Sequence, residues 1–113
     1  MTLWVKRTDL AGAPYYITRH VAADCLVVDF IVRWVAERKL DVDPGLVSLR
    51  LVPYTGEEEP TPAQEASATT LNPRKTLAAA GVADGSWLVA VFARVGEQAR
   101  ESSALTYVAE SVA

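Results

Sequence analysis

The sequence predicts an α+β domain with one main helix and several short strands, and three observations support this class. Short β-branched and aromatic segments, each bounded by turn-forming residues, stand at residues 3–7, 15–21 and 47–52. Residues 25–39 instead repeat apolar side chains at spacings of three and four, which is typical of a helix. Residues 73–94 join a short helical turn, a corner closed by glycine and serine, and an apolar strand at residues 87–93.

Length and composition are those of one globular domain that needs no disulfide. The chain has 113 residues, of which 50% are hydrophobic and 22% charged, and this is enough for a packed core. The formal net charge is -3, so no long-range field favours a nucleic acid. No window reaches the ~18 apolar residues that cross a bilayer, and residues 1–10 do not resemble a signal peptide. We therefore expect a soluble intracellular protein, cytoplasmic or nuclear, with neither nucleic-acid nor membrane partners.

The N-terminal part predicts an antiparallel hairpin. Residues 3–7 and 15–21 are the strand candidates, and the turn between them contains a glycine and a proline. Because side chains alternate along a strand, each face of the hairpin collects every second residue. One face is predicted to carry Leu3, Val5, Ile17 and Val21. The other face is predicted to carry Trp4, Lys6, Tyr16, Thr18 and His20.

The main helix is predicted over residues 25–39. Asp24 is a suitable N-cap, because its carboxylate accepts from the free amides of the first turn. The predicted core stripe comprises Val27, Phe30, Ile31, Trp34 and Val35. The many β-branched residues leave a strand as the alternative, but charges that repeat at i, i+4 favour the helix. These charges are Asp29, Arg33 and Glu37. Val28 and Val32 flank the stripe and make its apolar arc wider than one sheet requires.

The helix is followed by a strand and a loop. Residues 47–52 alternate between apolar and polar side chains, with Leu49 and Leu51 pointing inward. Residues 55–70 are rich in Glu, Pro, Thr, Ala and Ser, and we predict a mobile loop there. A short edge strand near residues 70–71 is compatible with this pattern.

We expect the domain to span residues 1–95 and to be followed by a tail. Residues 96–113 begin with polar side chains and then carry a few apolar ones. Two alternatives stay open for this tail: it is disordered, or its apolar residues cover the helix arc at Val28 and Val32.

The stretch before the last strand resembles a segment of ubiquitin-like domains. Residues 76–86 read TLAAAGVADGS, similar to the segment that leads those domains into their final strand. Leu-Asn-Pro at residues 71–73 resembles the Leu-Asp-Pro that precedes it in many members. The resemblance covers about residues 2–94 and implies a ubiquitin-like β-grasp, in which one helix packs across a mixed sheet of four or five strands. The core that it implies comprises Val27, Phe30, Trp34, Leu49, Leu51, Leu77, Val82, Leu88, Ala90 and Phe92.

Within that superfamily, the chain is similar to the N-terminal header domain of Crinkler-type effectors. The similarity lies in a first strand at the very start, in the spacing of Asp24, Val27, Phe30 and Trp34, and in a Leu-x-Leu-like strand at residues 47–52. It implies a module for delivery into host cells, which in such effectors is followed by a separate active domain.

The predicted functional surface is the sheet face turned away from the helix. We expect this open face to bind another protein, because Trp, Tyr and Arg are enriched at binding hot spots. Its predicted members are Trp4, Lys6, Tyr16, Arg50, Trp87, Val89 and Val91, with Tyr16 and Trp87 at the margins. The alternatives are that the loop or tail covers this face, or that a register shifted by one residue buries it.

We predict no catalytic function, cofactor or metal. Conjugation and sulfur transfer need a C-terminal Gly-Gly, whereas this sequence ends in Ser-Val-Ala. One alternative is a small thiol-dependent enzyme that uses Cys25, with His20 as the neighbouring base. One His and one Cys are too few for a zinc site, and Glu57-Glu58-Glu59 are predicted to be solvated loop residues. Another alternative is a homo-oligomer formed through the helix arc and the tail.

Overall fold

The computed structural model describes residues 1–9 and 12–93, and the predicted tail at residues 96–113 lies outside these ranges. The bounds of the described elements are β1 Leu3–Arg7, β2 Tyr15–Thr18, α1 Val27–Glu37, a 3-10 turn at Pro44–Leu46, β3 Val47–Leu51, α2 Pro62–Ala66, β4 Thr69–Thr70 and β5 Trp87–Phe92. The first strand has its predicted bounds, and the last strand ends one residue earlier than predicted. Neither helix in the two ranges is long and apolar enough to cross a bilayer.

The strands form one five-stranded mixed sheet with β5 at its centre. The order across the sheet is β2-β1-β5-β3-β4. β1 and β5 run parallel, with Val5 opposite Leu88, whereas the other pairs are antiparallel. A parallel pair needs a long crossover connection, and α1, β3 and α2 lie within it. The predicted combination of a mixed sheet and one main helix is confirmed.

Helix α1 packs across one face of this sheet and forms the main core. Its buried residues are the predicted stripe, Val27, Phe30, Ile31, Trp34 and Val35. Every core residue that the resemblance implies belongs to this cluster, with Leu51 and Phe92 only partly buried. Full burial of a large aliphatic or aromatic side chain contributes about 1.5–3 kcal/mol, so this cluster is the main source of stability.

Helix α1 begins two residues later than predicted, and Asp24 does not cap it. The N-cap is Leu26, which makes no side-chain hydrogen bond to the first turn. A free amide of this turn finds a backbone acceptor instead, since Val27 N–H donates to the Lys75 carbonyl at 2.9 Å. Because this acceptor is distant in the sequence, a search for a local capping side chain could not identify it.

Helix α1 ends at Glu37, two residues before the predicted end. Arg33 Nε donates to the Glu37 carboxylate at 2.9 Å, so part of the charge pattern that favoured a helix forms an ion pair. Lys39 follows with φ 54, the left-handed conformation that terminates many helices. Val28 and Val32 are 41% and 49% exposed, so the apolar arc is wider than the sheet covers.

Residues 55–70, predicted as a mobile loop, contain regular structure. Thr61 Oγ1 accepts from Gln64 N–H, and the Gln64 side chain accepts from Thr61 N–H, which is a capping box. Pro62 occupies the first helical position, where its missing N–H is not needed. The box begins α2, and β4 then pairs with β3. The edge strand is therefore present, one residue earlier than expected.

The stretch before β5 has the predicted turn and corner. Ala80 N–H donates to the Thr76 carbonyl at 2.9 Å and closes one helical turn. At the corner, Ala83 N–H donates to Ser86 Oγ at 2.9 Å. Gly85 has φ 84, a conformation in which a side chain would be strained. This corner directs the chain into the central strand.

Candidate functional site

The strand register gathers most of the predicted site residues on the sheet face turned away from α1, which we call the outer face. In the parallel β1–β5 pair, Trp4 lies opposite Trp87 and Lys6 lies opposite Val89. Residues that are paired in this way share a face of the sheet. Six of the seven predicted residues lie on the outer face. They are Trp4, Lys6, Arg50, Trp87, Val89 and Val91.

Tyr16 is the exception, because it lies on the α1 side of the sheet. It is paired with Val5, whereas Tyr15 and Ile17 project from the outer face. Tyr16 is 44% exposed beside the helix, and Tyr15 is buried. The outer-face tyrosine is thus Tyr15, whereas the sequence pattern had predicted Tyr16.

The cause of this one-residue shift is a break in strand alternation. Val21 is buried in the main core, as predicted, and alternation counted across residues 15–21 groups Ile17 with it. However, β2 ends at Thr18, and His20 has φ 61, a conformation that interrupts strand alternation. Val21 therefore points to the α1 side of the sheet although Ile17 points to the outer face. The two adjacent tyrosines gave no signal of their own, since either could occupy the buried position.

The outer face is not open, which corrects the prediction. Residues 53–68, which we call the strap, pass over its middle. Trp87 is only 2% exposed and Val89 is 8% exposed. They belong to a second apolar cluster together with Tyr15, Val52, which directly precedes the strap, and Ala68, which is its last residue. The alternative in which the loop covers this face is the one that the structure shows.

Four aromatic side chains form the centre of this second cluster. The rings of Trp4 and Trp87 stack with 5.0 Å between centroids and 13° between planes. Tyr15 meets Trp87 edge-on at 4.9 Å, and Tyr54 of the strap lies 6.2 Å from it. Trp87 Nε1 donates to the Gly56 carbonyl at 2.9 Å, so the buried indole also binds the strap. Aromatic pairs contribute about 0.5–1.5 kcal/mol beyond burial, and this stack fixes the orientation of the Trp4 ring.

Glu65 of α2 connects the strap to the first two strands. The Tyr15 hydroxyl donates to Glu65 Oε2 at 2.7 Å, and Lys6 Nζ lies 3.2 Å from the same oxygen. Burial, together with the hydrogen bond to this carboxylate, raises the pKa of Tyr15 far above its usual range. The phenol therefore stays protonated and remains a donor. Lys6, predicted as a contact for a partner, is engaged by the strap.

Arg50 also contacts the strap. Its Nη2 donates to the carbonyl of Ala68, the residue directly before β4, at 2.7 Å. Its Nε is buried and has no hydrogen-bond partner within the described ranges. An arginine fixed between a strand and the covering segment supports the fold of the strap more directly than it serves a partner.

Trp4 and Val91 are the apolar site residues that keep accessible surface beside the strap. Trp4 lines an open groove of about 400 Å³ between the strap and the corner before β5. The other lining residues are Thr55, Gly56, Glu57, Ala83, Asp84, Gly85 and Ser86. Asp84 Oδ1 accepts from Thr2 N–H at 2.6 Å, which fixes one wall. A rigid indole bordered by polar groups and backbone is suited to contact with another protein.

Cys25 lacks the surroundings of a catalytic thiol. Burial, with a further contribution from the charge of Asp29, raises the pKa of this thiol and keeps its thiolate fraction low at neutral pH. Sγ contacts the Leu26 carbonyl at 3.4 Å. Across residues 1–9 and 12–93, no three His, Cys, Asp or Glu side chains converge in a way that could hold a metal ion.

Solved structures share this fold, although no family model and no curated protein matches the sequence. A Caldiarchaeum subterraneum ubiquitin is similar with a TM-score of 0.58 and 21% identity, over 85% of this chain and 96% of that one. ATBAG1, in a complex with HSP70, is similar with a TM-score of 0.59 and 12% identity, over 92% of this chain and 46% of that one. The N-terminal ubiquitin-like domain of Drosophila melanogaster tubulin-binding cofactor B gives a TM-score of 0.53 and 14% identity, over 82% and 84%.

Likeness at such low identity concerns the fold and not the function. β5 lies at the centre of the sheet with β1 parallel beside it, and α1 packs across the face opposite the strap. The chain therefore has the ubiquitin-like β-grasp fold that residues 71–86 led us to expect.

Proposed function

We propose that this chain is a non-catalytic ubiquitin-like module that binds another protein through the accessible part of its outer face. The observation that supports this most directly is the state of Trp4. Its ring is stacked on the buried Trp87, yet it also forms a wall of an open groove. A large aromatic side chain that is already ordered loses little conformational entropy on binding, and tryptophan is enriched at hot spots.

The outer-face residues divide into contacting and supporting roles under this proposal. Trp4 and Val91 contact the partner at the two accessible ends of the face. The supporting residues, which bind the strap or lie beneath it, are Lys6, Arg50, Trp87 and Val89. Tyr16, on the α1 side, takes no part in this surface.

We extend the proposal to a module within a longer effector or signalling protein, with the Crinkler-type header as its most specific form. The likeness to ATBAG1 supports this extension, because the matched fold makes up 46% of a chain whose structure is a complex with another protein. The full-length transcript tests it: coding sequence for a separate domain after Ala113 is expected. A stop codon directly after Ala113 would contradict it.

Affinity purification with the 113-residue chain as bait tests the binding surface. We compare the wild type with Trp4→Ala and Val91→Asp, and use Val32→Asp on α1 as the matched control. A genuine partner is retained by the wild type and by Val32→Asp, and is reduced about tenfold or more by the outer-face variants. If every retained protein binds all four baits equally, the surface is wrong.

A second candidate function is self-association through the exposed arc of α1. Val28 and Val32 lie one turn apart on this helix, and Leu26 just before it is also exposed. An apolar stripe of this kind is suited to pair with a copy of itself. Size-exclusion chromatography with light scattering tests this candidate, because the monomer has a mass of 12.2 kDa. A dimer that Val32→Asp converts to a monomer would support it.

A further inference from the structure

A small pocket lies on the α1 side of the sheet, away from the proposed binding surface. We call it the Arg38 pocket. It has a volume of about 250 Å³ and is lined by Arg7, Tyr16, Trp34, Arg38 and Leu40. A shallower depression of about 390 Å³ adjoins it through Arg38 and extends to Arg19 and His20, beyond the end of β2. Basic side chains therefore border both spaces in a protein whose net charge is -3, and Glu37 is the one carboxylate among the lining residues.

The two arginines of the pocket differ in their charge partners. Arg7 forms two hydrogen bonds with the Asp9 carboxylate, at 2.9 and 2.6 Å, so its charge is already paired. Arg33, in the adjoining depression, is paired with Glu37. Arg38 makes no ion pair with any carboxylate in residues 1–9 and 12–93. It is the guanidinium of the pocket that still lacks a counter-ion there.

The Arg38 guanidinium is nevertheless held in place. One Nη2–H donates to the Ile17 carbonyl at 3.2 Å, and the guanidinium carbon lies 4.5 Å from the centre of the Tyr16 ring. A guanidinium has five N–H donors, so most of them are left for a ligand. A fixed, unpaired guanidinium with free donors is preorganised to bind an anion.

Trp34 adds an unusual feature to the wall of the pocket. Its side chain is 2% exposed, and its Nε1–H has no acceptor within the described ranges. Buried donors without an acceptor are uncommon in native proteins and call for an explanation. The nitrogen atom is itself buried, so the Trp34 indole reports on a ligand in the pocket through its ring and does not bind the ligand.

We infer that the Arg38 pocket binds a carboxylate from an acidic segment of a partner protein. The planar fork of a guanidinium matches the two oxygens of a planar carboxylate. The C-terminal end of α1 lies here, and its partial negative charge disfavours any anion, a doubly charged phosphate more than a singly charged carboxylate. Binding at this site therefore depends on the Arg38 guanidinium. The depression beside Arg19 and His20 accepts the next acidic side chain of the segment. This surface is independent of the one proposed on the outer face.

A capped hexaglutamate peptide is the probe for this site, and a capped hexaglutamine peptide is its neutral control. Two-dimensional 1H–15N spectra report on the three tryptophan indoles of the chain separately. Hexaglutamate is expected to shift the Trp34 indole signal and the backbone signals of Tyr16 and Arg38. The Trp87 indole, which is bonded to Gly56, should not move. Equal shifts with hexaglutamine, or shifts confined to the outer face, would overturn the inference.

Charge-matched variants complete the test. Arg38→Gln should weaken hexaglutamate binding about tenfold or more, because a bidentate charged contact is lost. Arg74→Gln makes the same charge change on an exposed turn at the other end of α1, and should change binding less than about twofold. Equal weakening by the two would indicate non-specific charge attraction and reject the site.

Two further arms keep the outcome clear. Arg38→Lys keeps the charge but loses the fork, so binding between that of the wild type and Arg38→Gln is expected. This variant and Tyr16→Ala, which removes the ring beside the guanidinium, carry the test if Arg38→Gln does not fold. Unchanged binding in both would reject the site. Inorganic phosphate is titrated separately. Phosphate that binds at the Arg38 pocket as tightly as hexaglutamate would reject the acidic-segment assignment.

Discussion

The Tyr15 hydroxyl donates a 2.7 Å hydrogen bond to Glu65, a residue 50 positions further along the chain. The same carboxylate pairs with Lys6, so one side chain of α2 links the strap to both β1 and β2. Hydrogen bonds to a charged group are among the stronger contacts in proteins, at about 1.5–3 kcal/mol. The order of the strap over the outer face therefore depends to a large degree on Glu65.

Replacing Glu65 by alanine should loosen the strap. We expect Glu65→Ala to lower the free energy of unfolding by about 1–2 kcal/mol, because two partly buried donors lose their acceptor and the site is partly solvated. Urea unfolding measures the loss, and hydrogen exchange should rise in residues 61–68. Glu58→Ala, an exposed glutamate of the same strap, is the control and should change stability by less than about 0.5 kcal/mol. Equal effects of the two variants would show that Glu65 does not hold the strap.

The raised pKa of Tyr15 predicts a loss of stability in alkali. The folded protein keeps the phenol protonated, whereas the unfolded chain releases the proton near pH 10. The folded state thus binds more protons above that pH, so the free energy of unfolding falls as pH rises. Between pH 9 and 11 this group should remove about 1.4 kcal/mol.

Tyr15→Phe is the matched variant for this pH effect. It is expected to be less stable at pH 8, because the hydrogen bond to Glu65 is lost, but to lose less stability between pH 9 and 11 than the wild type. Urea unfolding at each pH gives both numbers. Parallel pH profiles for the two proteins would mean that Tyr15 ionises as readily in the folded state as in the unfolded chain.

The parts of the fold that sequence could predict are those with a local, periodic signal. The stripe of α1 and the alternation in β1 and β3 repeat at spacings fixed by backbone geometry, so the core positions followed. The glycine and serine corner before β5 was equally local, because Gly85 takes a φ of 84 and Ser86 Oγ bonds Ala83 N–H. The cap of α1 was not local, since its acceptor is the carbonyl of Lys75, a residue far from the helix in the sequence.

The covered outer face could not be predicted in the same way. The acceptor for Tyr15 and the acceptor for Trp87 Nε1 both lie in the strap, at Glu65 and Gly56, tens of residues away. Composition marked this segment as a loop, although Thr-Pro-x-Gln at residues 61–64 is a capping-box pattern that would have identified α2. The packing of this segment on the outer face depends on contacts between residues distant in the sequence, so no local pattern could predict it.

Gly56 should be intolerant of a side chain. A Cβ atom built there would overlap the hydroxyl end of Tyr54, whose ring lies 6.2 Å from that of Trp87. Gly56→Ala must therefore displace Tyr54 from the aromatic cluster, and we expect a loss of about 1–2 kcal/mol with a changed near-ultraviolet circular dichroism spectrum. In a Tyr54→Ala background the same change should cost little, because the overlapping ring is gone. An undiminished cost in that background would place the strain elsewhere.

Val89 and Val91 lie two residues apart on the outer face of β5 and provide the sharpest test of how far the strap covers it. Val89 is 8% exposed in the second cluster, so Val89→Asp buries an unpaired carboxylate and should cost about 3 kcal/mol or more. Val91 keeps accessible surface, so Val91→Asp should cost less than about 1.5 kcal/mol and leave the domain folded. Urea unfolding compares the free energies, and dispersed 1H–15N spectra report on the fold. If Val91→Asp unfolds the domain as Val89→Asp does, that end of the face belongs to the core, and the partner surface cannot include it.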